Sequence, residues 1–320
     1  MQIELKRYNC DIVIYMSDEI REGESKGITR RALLKGAAAL AGALALNTIT
    51  TRSDNAAKEK ASQTRELSKD PDPGLEIRNF ALKSFITDQD KKISKNSIGN
   101  FARYYLSSSS FPERVITIHN EYKNFIGEAF DILAAKGFNI DPLWKSVMPG
   151  LILAESSADP KTGPDIGLCQ LRAPAIADAR ALLGKEYENA DPNDPKNNII
   201  FALTYLIRLF NNYNTPDMAI WAYNLGIGTL NQTIQAYTIE KLGENHKPDI
   251  DNTLGDPKRG PSALIKANEI NTLKIIQSQA ATDKLQEIAP KALENEGRFY
   301  FWKVIGAAQA YLEAEKEIFP

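Results

Sequence analysis

Residues 141–160 read DPLWKSVMPGLILAESSADP. The Asp141-Pro142 pair opens a helix. Behind it Trp144, Met148, Leu151 and Glu155 follow at steps of four, three and four, so all four project from one side. That side is the one a helix of this kind buries. Glu155 continues the stripe at its C-terminal end, where the helix dipole also disfavours negative charge. Burial and dipole both favour the protonated acid and raise its pKa, as a general acid requires. On this segment alone, the commoner role for such a residue is a solvated glutamate at a helix end. Pro149 places a kink one turn earlier.

Outward from this helix the same period recurs. Ser110 and Glu113, with Pro112 between them, form a capping box. Val115, Ile118, Tyr122, Phe125, Ala129, Ile132 and Leu133 then repeat at helical spacing until Gly137 stops the run. Further helical patterns cover residues 173–183, 197–213, 216–235, 262–281 and 296–317. Alternating strand patterns are scarce. The expected fold is mostly α, with one compact domain over residues 111–320. Its core is 141–235 and its closing helix 296–317; residues 236–295 carry Pro and Gly clusters and read as an insertion before that helix. Residues 51–110 are polar and read as an N-terminal linker or accessory segment. A short helix is expected there around 79–87 and another ending near Leu106.

Composition removes several function classes. The chain has 320 residues, 43% hydrophobic and 25% charged, enough for a real core. Lys and Arg number 39 against 41 Asp and Glu, so no basic field marks a nucleic-acid binder. Two cysteines exclude a disulfide scaffold, and two histidines (His119, His246) leave little for a His-rich metal site. No nucleophile-elbow motif accompanies either histidine, and no Walker-type glycine loop is present. Neither metal nor organic cofactor is expected. No apolar run reaches the roughly 20 residues of a stable membrane span.

The first fifty residues read as an address. Residues 29–35, TRRALLK, stand before the apolar GAAALAGALAL of residues 36–46. This order resembles the twin-arginine export signal and implies a periplasmic protein. Met16 gives a leader of more usual length than Met1, and both starts stay open. So do cleavage after Ala43-Leu44-Ala45 or after Asn55-Ala56-Ala57. Cys10 leaves with the leader, so Cys169 remains alone.

Four motifs and a closing helix follow in order. Glu155-Ser156 is succeeded by Gly167-Leu168-Cys169-Gln170-Leu171, then by Asn198-Ile199 leading into a helix with Tyr205-Leu206. Ala222-Tyr223-Asn224-Leu225-Gly226-Ile227-Gly228 comes next, and Tyr300-Phe301-Trp302-Lys303-Val304 closes the series. Each motif is weak alone; together they resemble the catalytic domain of soluble-type lytic transglycosylases, which is lysozyme-like and related in fold to goose-type lysozyme. The resemblance covers residues 141–235 and 298–310.

It implies peptidoglycan glycan strands as the partner. It also implies cleavage of the β-1,4 bond from N-acetylmuramic acid to N-acetylglucosamine, leaving 1,6-anhydromuramic ends. Glu155 would act as acid and then as base. Ser156 would hydrogen-bond Glu155 or the acetamido group, and Gln170, Tyr223, Asn224 and Tyr300 would bind substrate. Gly167 would let the backbone approach the sugar, with the Tyr223 hydroxyl near the acid. Gly226 and Gly228 would permit a tight backbone path. Asp159 reads as a turn opener and Asp165 as a loop residue, so neither is a dedicated base for an activated water. Departures include Cys169 in place of Met and Arg172-Ala173-Pro174 in place of Met-Pro. A lysozyme-like muramidase and a non-catalytic glycan-binding relative stay open as alternatives. So do recruitment by cell-wall or secretion machinery and the oligomeric state.

Overall fold

The structure is a computed structural model that describes residues 3–8, 11–16, 72–161, 165–256, 260–293 and 297–320. The chain divides into two units, Met1–Asp70 and Pro71–Pro320. In the first, β1 (Ile3–Tyr8) pairs antiparallel with β2 (Asp11–Met16), Ile3 opposite Met16. The arginine pair, the apolar run and both candidate cleavage sites lie outside the described residues.

The second unit is helical. In chain order it holds α1 (Pro73–Ala81), α2 (Asp88–Leu106), α3 (Phe111–Thr117), α4 (Lys123–Ala135), α5 (Leu143–Ser156), α6 (Ala173–Leu183), α7 (Pro195–Tyr213), α8 (Pro216–Leu225), α9 (Ile227–Leu242), α10 (Lys247–Gly255), α11 (Gly260–Ala267), α12 (Thr272–Gln277), α13 (Gln279–Ile288), α14 (Pro290–Leu293) and α15 (Tyr300–Ile318). The mostly α reading of the sequence is what is found.

Helix α5 is more deeply placed than a one-sided stripe suggests. Trp144, Val147, Met148, Leu151, Ile152 and Leu153 are all buried, so every side of the helix meets protein. A helix apolar all round belongs at a domain centre. Its neighbour α15 is likewise buried along most of its length. The two come very close at Gly150, where an added Cβ would stand 2.4 Å from the Val304 carbonyl and 2.5 Å from the Ala308 Cβ. On another side of α15, a Cβ on Gly306 would meet the Phe101 Cβ at 2.5 Å. Missing side chains thus let α15 lie tightly between α5 and α2, bringing Tyr300 at its first turn to the last turn of α5.

The contact with α2 shows residues 72–106 packed in the manner of an accessory segment, one of the two readings the sequence allowed. That segment folds with the helices that follow it. The Asp72 carboxylate caps α1 by accepting from the Gly74 amide at 3.1 Å, and the Thr87 hydroxyl caps α2 by accepting from the Asp90 amide at 3.0 Å. The Phe80 ring meets Trp144 edge-on at 5.2 Å. The buried face of α2 is Ser94, Ile98, Ala102 and Tyr105, a stripe too thin in apolar residues to stand out in the sequence.

Other boundaries move for local reasons. Ser110 precedes α3 but has helical φ/ψ and makes no capping bond; its hydroxyl pairs with that of Ser108 at 3.2 Å. An N-cap needs extended backbone, which the preceding serine turn does not supply, so the expected capping box is not formed. The helix expected over 216–235 breaks at Gly226 (φ 84°) into α8 and α9. The one expected over 262–281 is split by Glu269 at φ 52°. The described residues of 236–295 are largely helical and return to the core, where the Asp217 carboxylate accepts from the Thr272 amide at 2.8 Å; Glu240, accepting from the Ala280 amide at 3.1 Å, ties the segment to itself.

Candidate active site

The last turn of α5 carries Glu155, half-buried, on the wall of a cavity of ≈ 290 Å³. Ser157 and Ala158, both at positive φ, turn the chain away behind it. The Tyr300 hydroxyl donates to Glu155 Oε1. The Lys303 ammonium, one turn along α15, donates to the Ala154 carbonyl at 3.0 Å and so occupies the negative end of α5.

Burial is the largest influence on Glu155 and lifts its pKa to about 7. The Tyr300 hydrogen bond and the Lys303 charge pull it down, Asp165 pushes it up and Arg172 pulls it down. Desolvation therefore outweighs three influences that favour the charged form. Burial raises the pKa of Tyr300 as well, so its hydroxyl keeps its proton and remains a donor.

Opposite the acid stands a short loop. Ile166 and Leu171 exchange backbone hydrogen bonds at 3.0 and 2.9 Å, closing a turn with Gly167 at φ 70° and Gln170 at φ 47°. The positive φ of Gln170 is unusual for a residue with a side chain. Its amide holds it there: Nε2 donates to the Gly167 carbonyl at 2.6 Å, and Oε1 accepts from the Asp165 amide at 3.3 Å. Gln170 thus lines the cavity while spending its side-chain hydrogen bonds on its own loop.

The residue that organises this loop is Asn198, in the first turn of α7 and fully buried. Its Oδ1 accepts from the Cys169 amide at 2.7 Å, while Nδ2 donates to the Ile166 and Pro192 carbonyls at 3.0 and 2.9 Å. A Cβ on Gly167 would lie 2.4 Å from that Nδ2. The glycine is needed for the approach of Asn198; it is buried and lines no part of the cavity. Asn198 was legible as part of a motif but not as a clamp. The available signal was the last of three polar residues, Lys196-Asn197-Asn198, before the apolar run Ile199-Ile200-Phe201.

The structure gathers Glu155, Gln170, Tyr223 and Asn224 around one cavity. The Tyr223 hydroxyl donates to the Cys169 carbonyl at 2.8 Å and braces the same loop; the hydroxyl on the acid is that of Tyr300. Tyr300 is buried and is not part of the cavity lining. Asn224 makes no side-chain hydrogen bond among the described residues, which leaves its amide for a ligand. Ser156 is buried, its hydroxyl donating to the Ile152 carbonyl at 3.2 Å, and it does not line the cavity.

Two further carboxylates reach the cavity, and each faces an arginine. Asp165 lies 3.5 Å from Arg172 Nε, and Asp178 is paired with Arg208. Asp159 is a turn residue, accepting from the Lys161 amide at 3.0 Å, and lines no part of the cavity. Among the described residues no three His, Cys, Asp or Glu side chains converge as a metal site, and no helix is long and apolar enough to cross a membrane.

Comparison with curated proteins and with solved structures finds no match. A half-buried acid on a central helix, a braced loop opposite it and a Tyr-Asn wall from α8 make up the cavity. Residues 134–244, which supply all of these, match the family model of the Transglycosylase SLT domain, whose fold is the all-α lysozyme-like one.

Proposed function

We propose that this protein is a peptidoglycan lytic transglycosylase in which Glu155 is both acid and base. The observation that carries the reading is that, of three carboxyl groups on the cavity wall, Glu155 alone faces no arginine in an ion pair, its orientation held by Tyr300 and its pKa lifted by burial to about 7. Such a group gives up and takes back a proton near neutrality with little cost in either direction. In the first step it protonates the glycosidic oxygen as the bond from C1 of N-acetylmuramic acid breaks. In the second, its carboxylate takes the proton of the C6 hydroxyl of the same sugar, and O6 closes onto C1. Glu155 ends protonated, and no water is consumed.

The alternative hydrolase chemistry needs a second carboxylate to activate water. Asp165 and Asp178 are the carboxylates nearest that role, and each is set against an arginine. That favours attack by the sugar's own hydroxyl. Mass spectrometry of digested peptidoglycan tests the proposal. Wild-type protein should release anhydromuramic ends, and Glu155→Gln should lower that rate at least ~100-fold. Reducing ends in their place make the protein a muramidase, and strands bound but left intact make it a glycan-binding relative.

The same reading places the protein in the periplasm, exported through the Arg30-Arg31 signal. Replacing both arginines with lysine should leave it in the cytoplasm.

A further inference from the structure

The two arginines at the cavity differ in how they are held. Arg208 meets Asp178 through a terminal nitrogen, Nη1. Arg172 meets Asp165 only through Nε, at 3.5 Å, and its side chain is 63% exposed. Among the described residues Arg172 makes no other hydrogen bond or ion pair, so the outer edge of its guanidinium, Nη1 and Nη2 together, has no partner. Its position is not loose, however. Arg172 follows directly on Leu171, whose backbone is locked to Ile166, and its own extended backbone begins α6. The fork therefore springs from a fixed point on the cavity wall.

A paired edge of two N–H groups is matched by a carboxylate, which it binds through two parallel hydrogen bonds. An exposed pair such as Arg172–Asp165 adds little to stability, so folding does not account for the residue. We propose that Arg172 is a specificity residue that reads a carboxylate on the substrate. This rests on the peptidoglycan reading above. That polymer offers two sources of the group: the lactyl carboxylate of N-acetylmuramic acid where no peptide is attached, and the carboxylates of the stem peptide where one is.

Binding measured in the Glu155→Gln background separates this from the cleavage chemistry. The probes are glycan strands with stem peptides, strands stripped of peptide, and each of these with its carboxylates converted to amides. Amidation should weaken binding about 10- to 100-fold where the group read by Arg172 is lost. Adding Arg172→Met should abolish that difference while leaving the affinity for amidated strands and the melting temperature unchanged. Sensitivity confined to stripped strands identifies the lactyl group as the target, and sensitivity confined to peptide-bearing strands identifies the stem. Arg172 also acts on the charge of Glu155, but that charge is absent in the Glu155→Gln background and cannot mimic a substrate-dependent ratio. Equal discrimination with and without Arg172 overturns the proposal, as does the absence of discrimination by the parent protein. Cleavage of the same strands by wild-type protein reports separately on the functional reading.

Discussion

Asn198, fully buried behind the loop, and Glu155, half-buried on the cavity wall, are polar side chains that are treated in opposite ways. Asn198 is fully buried, and three backbone groups from two stretches of chain meet its amide. Glu155 receives one hydrogen bond, from Tyr300, and otherwise faces a cavity. A satisfied buried amide holds a loop in place and does not titrate. A carboxyl group with one partner and little water sits near its own titration point. The difference teaches that rigidity and reactivity here come from neighbouring residues with opposite hydrogen-bond accounts.

The sharpest way to break the comparison is Asn198→Ala. It strands the Cys169 amide and the Pro192 carbonyl and takes one of two donors from the Ile166 carbonyl, and should cost about 3–5 kcal/mol, read as a drop in the urea midpoint. Because Gln170 and Tyr223 depend on the same loop, activity should fall with it. A variant of unchanged stability would show that the clamp is ornamental.

Glu155→Gln should do the reverse. The pKa of Glu155 rises from 4.5 in the unfolded chain to about 7 in the folded one. Below pH 4.5 the group is protonated in both states and folding is not penalised. As the pH climbs to about 7, the folded protein loses stability relative to the variant, by up to about 3 kcal/mol. Urea melts at pH 4 and pH 8 check this. The two proteins should match at the lower pH, and the variant should be the more stable at the higher. Parallel curves would place Glu155 in an ordinary solvated setting.

A smaller effect is expected from Tyr300→Phe. Its hydroxyl stabilises the carboxylate and lowers the pKa, so its removal should move the alkaline limb of the kcat/KM profile to higher pH, with a several-fold loss of rate. An unmoved limb would show that Tyr300 only fills space.

Much of this site was readable from residue order. The spacing of Trp144, Met148, Leu151 and Glu155 led to a buried helix with an acid at its end, and the later motifs named the loop and the wall that share its cavity. What that order concealed was which atom meets which. Tyr223 and Tyr300 are alike in sequence terms, yet one hydroxyl braces the Cys169 carbonyl and the other holds the acid. Gly167 looked like an opening for a sugar and is an opening for Asn198. Ser156, adjacent to Glu155 in the chain, points back at its own helix. Such choices depend on which helices cross, and at what depth, which no local spacing encodes.

Periodicity and residue type, acting over a few turns, were enough by themselves to determine a helical protein with one acid at the end of an apolar helix. Only the tertiary structure decided that residues 72–106 fold with the rest, because a stripe as thin as Ser94, Ile98, Ala102 and Tyr105 gains its meaning when α15 covers it. The same holds for Glu155. Its pKa is raised by how much water its neighbours exclude, and that is a property of packed helices rather than of any one segment.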